Sequence, residues 1–302
     1  MGNKIFEKYS PSFGYGSFGI IFPYIKLIVN DTTLLKEILN KVYSVINNVN
    51  NNETEPGLTT GISGVGIFCL YMYDYTKSEE WMRCAEKIAD HSQKLLVNEY
   101  GIGYGNSGIA VYLMNLYVTT KNKKYLSKAK NSIEMEISNV VYDGTMVLGL
   151  NFSKEIETPY VYIEHGIAGL IKAMVSYFRL TGEEYYLELS EKFVESFQSN
   201  FVVKTGYCYG VSGLIDVLHD LYLETGNPKY LEQTNRFIEL LLFSGKKTKT
   251  GRTFPSTQDY RASLDWCYGS MGILLTMKKL STSFEVNPFF KRIDTSIKER
   301  EI

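Results

Sequence analysis

Gly206-Tyr207-Cys208-Tyr209-Gly210-Val211-Ser212-Gly213 decides the reading of this chain, because the chain repeats it. A near copy, Asp265-Trp266-Cys267-Tyr268-Gly269-Ser270-Met271-Gly272, stands close to the C-terminus. Each is a small-residue loop leading into an apolar stretch, with a cysteine two residues before the first glycine of a Gly-x-x-Gly unit. Four further units lack the cysteine: Gly16 with Gly19, Gly61 with Gly64, Gly105 with Gly108, and Gly166 with Gly169. Successive first glycines are 45, 44, 61, 44 and 59 residues apart. Self-similarity at such a period marks a repeat architecture.

A second signal recurs 12 residues after Gly64, Gly108, Gly169 and Gly213, where Thr76, Thr120, Thr181 and Thr225 stand. Five residues later comes an aromatic: Trp81, Tyr125, Tyr186 and Tyr230. The first and last units keep the glycines but have Asp31 and Phe284 at the threonine position, as terminal repeats often differ. Between glycine and threonine, 109–118, 170–180 and 214–224 are apolar on nearly every side, which predicts buried helices. After each threonine, 81–96, 125–137, 185–197 and 230–243 read as amphipathic helices. Alternation of the two kinds predicts an all-α fold, an α/α toroid of about six helical hairpins in one domain over residues 1–302. Its glycines would admit close backbone approach where the buried helices begin.

The two long spacings mark insertions, 139–162 and 244–265, each running directly into a motif loop. Both are expected to be loops acting as lids or binding edges. The Asn-rich stretch 47–55 reads as a polar linker within the repeats.

With 32 basic and 33 acidic residues the chain has no electrostatic footprint for nucleic acid. No window approaches the roughly 18 apolar residues of a membrane span. The first residues carry neither an apolar signal region nor a myristoylation motif. Four cysteines are too few for a disulfide scaffold, which points to a reducing cytoplasm.

Cys208 and Cys267, at equivalent positions in adjacent repeats, are expected to lie together as two thiolates before helix N-termini, half of a zinc site. The alternative is a pair of small buried residues repeated by duplication. His165, in Ile163-Glu164-His165-Gly166, is the histidine of a motif loop. It suits a third zinc ligand or a general acid and base; otherwise it is a loop histidine held by carbonyls. Tyr268 follows Cys267 where a ligand could also stand. Arg261 and Asp265 gain weight by preceding that loop, whereas Asp143 and Asp259 read as solvated charges. His91 and His219 read as surface or core residues, and Cys69 and Cys84 as core. The four threonines read as structural. No phosphate-binding loop, nucleophile elbow or His-Glu-x-x-His motif is present.

At these residues the chain resembles the lanthionine synthetase C family, the cyclases of lanthipeptide biosynthesis. The carriers are the repeated Gly-x-x-Gly loops, His165-Gly166-Ile167-Ala168-Gly169, Cys208-Tyr209-Gly210, Trp266-Cys267-Tyr268-Gly269 and the closing Asn287-Pro288-Phe289-Phe290. The resemblance implies an α/α toroid whose zinc, held by two Cys and one His, activates a peptide thiol for addition to dehydroalanine or dehydrobutyrine. It implies a precursor peptide as substrate, with a dehydratase or a kinase/lyase and a transporter as partners. In one register His165 matches the acid/base histidine, Cys208 and Cys267 match the zinc cysteines, and Tyr268 stands where the ligand histidine belongs. The metal would then be held by Cys208, Cys267 and His165 or water. In another register the Cys267 loop is the final repeat, Glu164 and His165 take the first Cys-Tyr position, and the chain resembles the family's zinc-independent domains. A scaffold that binds precursor peptide without catalysis, and a glycoside-processing enzyme, are the rival functions.

Overall fold

A computed structural model describes residues 10–49, 54–198, 204–249, 251–255, 263 and 265–299. They fall into two compact units, one ending at Glu136 and one beginning at Ile137. The first holds α1 (Ser17–Ile21), a 3-10 turn (Phe22–Tyr24), α2 (Ile25–Ile28), α3 (Thr32–Asn47), α4 (Ile62–Thr76), α5 (Glu79–Ser92), α6 (Asn106–Thr120) and α7 (Lys123–Ile137), which ends at the boundary. The second holds β1 (Val140–Asp143), β2 (Met146–Asn151), β3 (Pro159–Tyr160), α8 (Ile167–Thr181), α9 (Glu184–Phe193), α10 (Val211–Thr225), α11 (Pro228–Ser244), β4 (Lys246–Thr248), β5 (Gly251–Thr253), α12 (Ser270–Thr282) and α13 (Lys291–Lys298).

The two kinds of helix are as the periodicity predicts. α4, α6, α8 and α10 begin directly after a Gly-x-x-Gly glycine and each bury between 10 and 12 of their 15 residues. α5 buries one face, with Trp81, Cys84, Ala85 and Ile88 inward, and α7 buries Tyr125, Ala129 and Ile133. Cys69 and Cys84 are buried free thiols.

The repeated threonines share one hydrogen-bond pattern. Each hydroxyl donates to the carbonyl four residues back: Thr76 to Met72, Thr120 to Leu116, Thr181 to Tyr177 and Thr225 to Leu221, at 2.7–2.9 Å. Each also accepts the N–H two residues on, across a left-handed residue at Lys77, Lys121, Gly182 or Gly226. The pattern ends the buried helix and turns the chain into the next. It is present in the last unit as well, against the sequence expectation. Thr282 bonds the Lys278 carbonyl and the Phe284 N–H around left-handed Ser283. The signal had moved because α12 has 13 residues where α10 has 15.

The second glycine of a unit has a steric reason. A Cβ on Gly64 would lie 2.0 Å from the Leu58 carbonyl oxygen and 3.0 Å from Phe13 Cβ. One on Gly272 would lie 2.1 Å from the Trp266 oxygen and 2.7 Å from Tyr207 Cβ. α4, α6, α10 and α12 therefore each start against their own loop and the preceding one. Main-chain bonds join the loops at equivalent positions, two residues before each first glycine. In the first unit Gly14 N donates to Thr59 O (2.8 Å) and Thr59 N to Gly103 O (3.2 Å). In the second, Glu164 N donates to Cys208 O and Cys208 N to Cys267 O, each 3.0 Å.

The insertions are not plain loops. Residues 139–162 contain an antiparallel sheet in the order β1-β2-β3. Gly144-Thr145 makes its first turn, with Gly144 at φ +58° in the first central position, where two-residue hairpin loops favour glycine. Within 244–265, β4 and β5 pair antiparallel.

Candidate active site

The main-chain bonds that join the loops of the second unit carry three side chains into one place. Glu164, Cys208 and Cys267 occupy the same position in successive motif loops, and all three are buried. A carboxylate oxygen and the two sulfurs lie within 4.8 Å of one another, with Glu164 Oε2 3.9 Å from Cys267 Sγ. Two separate thiolates were expected, but Cys208 and Cys267 are joined as a disulfide. The backbone bond between their residues sets the Cα atoms 4.7 Å apart, inside the range a disulfide spans. This bond couples positions whose sequence separation is 59 residues.

His165 was the expected third ligand, yet the donor atom beside the sulfurs belongs to its neighbour Glu164. The imidazole, 4% exposed, packs between aromatic rings, with centroids 4.5 Å from Phe152 and 5.6 Å from Tyr209. Burial pushes its pKa down to about 4, so it is neutral at neutral pH. Phe152 comes from the first insertion, which thereby shapes the site. Tyr268 is half-buried, and its ring lies parallel to that of Tyr209 at 5.3 Å. Asp265 is exposed and accepts the Tyr268 N–H at 2.6 Å, so it shapes the Cys267 loop. Asp143 is exposed at the end of β1, while Arg261 and Asp259 lie outside the described residues.

Sequence reasoning missed a buried ion lattice behind these loops. Lys172 Nζ lies 2.7 Å from Asp216, 2.8 Å from Asp220 and 3.1 Å from Glu285. Lys279 Nζ reaches the same three carboxylates at 2.5, 2.7 and 2.9 Å. Arg179 adds contacts to Asp220 and Glu224. Burial alone would raise the Asp220 carboxyl, but the two lysines and Arg179 overcome it and hold it well below its usual range. These three carboxylates thus have their cations already. The lattice reaches the cysteines through Tyr207, whose hydroxyl donates to Asp216 (2.7 Å) and accepts from Asn287 Nδ2 (3.0 Å). Tyr207 stacks on Trp266 at 5.3 Å, and Trp266 meets Phe289 at 5.5 Å. Each residue preceding a cysteine is thereby fixed from behind. The signal in hand was Lys172, Asp216, Asp220 and Lys279, charges inside helices apolar all round.

The model of the lanthionine synthetase C-like protein family matches residues 3–264, most of the length. The chain belongs to that family. The match spans Glu164, His165 and Cys208 and stops just short of Cys267. Nisin cyclase shares the fold with a TM-score of 0.67 at 17% identity, covering 95% of this chain and 81% of that one. The GH76A alpha-1,6-mannanase from Salegentibacter sp. HEL1_6 aligns with a TM-score of 0.50 at 15% identity, covering 94% and 87%. No curated protein matches the chain in sequence. The expected α/α toroid class stands on the fold shared with nisin cyclase. Among the described residues no helix is long and apolar enough to cross a membrane.

Proposed function

We propose that this family member is a peptide cyclase that forms thioether rings. A cysteine thiol of a precursor peptide adds across the Cα=Cβ bond of dehydroalanine or dehydrobutyrine. Sulfur bonds to Cβ, the thiol hydrogen ends on Cα, and no atom is gained or lost. The observation that carries this reading is the convergence of two cysteine sulfurs and a carboxylate at equivalent positions of successive motif loops.

The donor set fits zinc once the disulfide is reduced, because two thiolates and one further donor leave a position open for substrate. Zinc there would act as a Lewis acid that lowers the pKa of the substrate thiol. The protein's own part is positional. Tyr207 and Trp266, fixed by the ion lattice and by Phe289, hold the two cysteine loops in place. His165, beside the site, takes the thiol proton and returns a proton to Cα. Phe152, Tyr209 and the parallel ring of Tyr268 form an aromatic wall that excludes water from the adding thiol. Arg261 is a further candidate catalytic residue on sequence grounds alone. The reading carries with it a cytoplasmic location, a dehydrating partner enzyme, and one working domain over the whole chain.

The test uses a dehydrated peptide bearing one cysteine. Cyclisation leaves its mass unchanged, so the readout is loss of the alkylatable thiol and resistance of the new ring to fragmentation. Reduced wild-type protein should accelerate thiol loss over buffer, and Cys208→Ala and His165→Gln should each slow it at least about a hundredfold. Wild type at the rate of buffer sinks the cyclase reading. A second reading, a peptide-binding scaffold, is favoured by the Cys208–Cys267 bond and by Tyr268 at the family's histidine position. It predicts peptide binding with no thiol loss. A mannanase-like activity would need paired carboxylates facing a sugar, whereas Asp216, Asp220 and Glu285 are occupied by lysines.

A further inference from the structure

Glu164 is wholly buried and stands where the next two loops have cysteines. Main-chain bonds of 3.0 Å on either side of Cys208 hold the three positions in register. The backbone brings the three positions together, and burial confines the Glu164 carboxylate beside the sulfurs. Its oxygen and both sulfurs fall within 4.8 Å of one another, close enough for one ion to bond all three. Tyr268, at the position the resemblance gives to a histidine ligand, has its ring stacked on Tyr209. His165 has its ring between Phe152 and Tyr209.

We propose that Glu164 is the third protein ligand of a Cys2Glu divalent metal centre, completed by Cys208 and Cys267 in their dithiol form. The inference rests on the cyclase reading in that it takes the site as a thiolate metal site. Opening the Cys208–Cys267 bond takes two electrons and two protons from a dithiol reductant, which is itself oxidised to a disulfide. Metal binding then releases the two thiol protons to solvent. Two thiolates and a carboxylate carry three negative charges, so the centre with a divalent ion is anionic, whereas two thiolates and an imidazole would leave it neutral. An oxygen donor also suits harder ions than imidazole does.

The experiment is anaerobic titration of the full chain, reduced with a dithiol that is then removed, with cobalt(II). It reads the thiolate-to-cobalt charge-transfer band and the visible ligand-field bands, not turnover. Wild type should show both. Glu164→Ala should weaken cobalt binding at least about tenfold, and Glu164→His should restore it with displaced visible bands. His165→Gln and Tyr268→Phe should keep the wild-type spectrum. Glu164→Ala binding within about twofold of wild type, with unchanged visible bands, overturns the assignment and leaves the cyclase reading standing. So does a spectrum altered by His165→Gln or Tyr268→Phe instead. If Glu164→Ala does not fold, a folded Glu164→His with bands identical to wild type overturns it equally. Absence of the charge-transfer band in reduced wild type removes this inference together with the metal part of the reading, while the cyclisation assay still judges the reaction.

Discussion

Glu136 shows how one buried side chain can hold a motif loop. Its carboxyl accepts the N–H groups of Gly101 (2.5 Å) and Asn106 (3.1 Å) and the Ser107 hydroxyl (3.3 Å), and so sits at the N-terminus of α6. Burial pushes its pKa up to about 7, outweighing these hydrogen bonds, from an ordinary 4.5. The unfolded chain gives up this proton near pH 4.5, and the folded chain keeps it to about 7. Stability from this group is therefore greatest below the lower value and falls as pH rises toward the upper one, by about 3 kcal/mol across the window. Urea unfolding at pH 4.5 and pH 7.5 should show wild type losing about that much more than Glu136→Gln, whose amide does not titrate. Equal slopes for the two proteins would contradict it. Nothing in the sequence set Glu136 apart from the other acidic residues of an amphipathic helix, because its burial depends on a loop that precedes it by 30 residues or more.

Helix ends were far more legible than helix backs. Thr76, Thr120, Thr181 and Thr225 stand out because a helix cap is local: hydroxyl, i−4 carbonyl and i+2 N–H lie within one turn. Thr282 was missed only because its helix is shorter, which shifted a fixed count. The ion lattice was unread for the opposite reason. Lys172, Asp216, Lys279 and Glu285 come from separate segments, and only packing joins them. Lys279→Met should destabilise the protein by about 3–5 kcal/mol in chemical denaturation at pH 7, since it leaves buried carboxylates short of a cation. A loss below about 1 kcal/mol would show that Lys172 and Arg179 suffice to neutralise them. The insertions were half legible: Gly144 between the apolar runs 140–142 and 146–148 is a hairpin signal, and reading the stretch as loop passed over it.

At the scale of the molecule, the glycine period pointed to the family, because Gly64, Gly108, Gly213 and Gly272 repeat one contact between a helix start and its neighbouring loop. The fold shared with nisin cyclase follows from that period. The site was legible as a set of loops, but not which side chain of the 164–165 pair lies beside the sulfurs. Equivalence of positions 164, 208 and 267 was available in the sequence, but a glutamate beside a histidine drew attention to the histidine. The disulfide could not be read at all, since it depends on a Cα separation that only the paired loops create.

On the proposed reading, Cys208 and Cys267 open from their disulfide into a thiolate metal site. Zinc content decides it, measured on dithiol-reduced protein prepared without chelator or affinity-tag metal, beside Cys208→Ala and Cys267→Ala. About one zinc per chain is expected in wild type, lost in either variant. Wild type without zinc, or zinc retained in both variants, would contradict it.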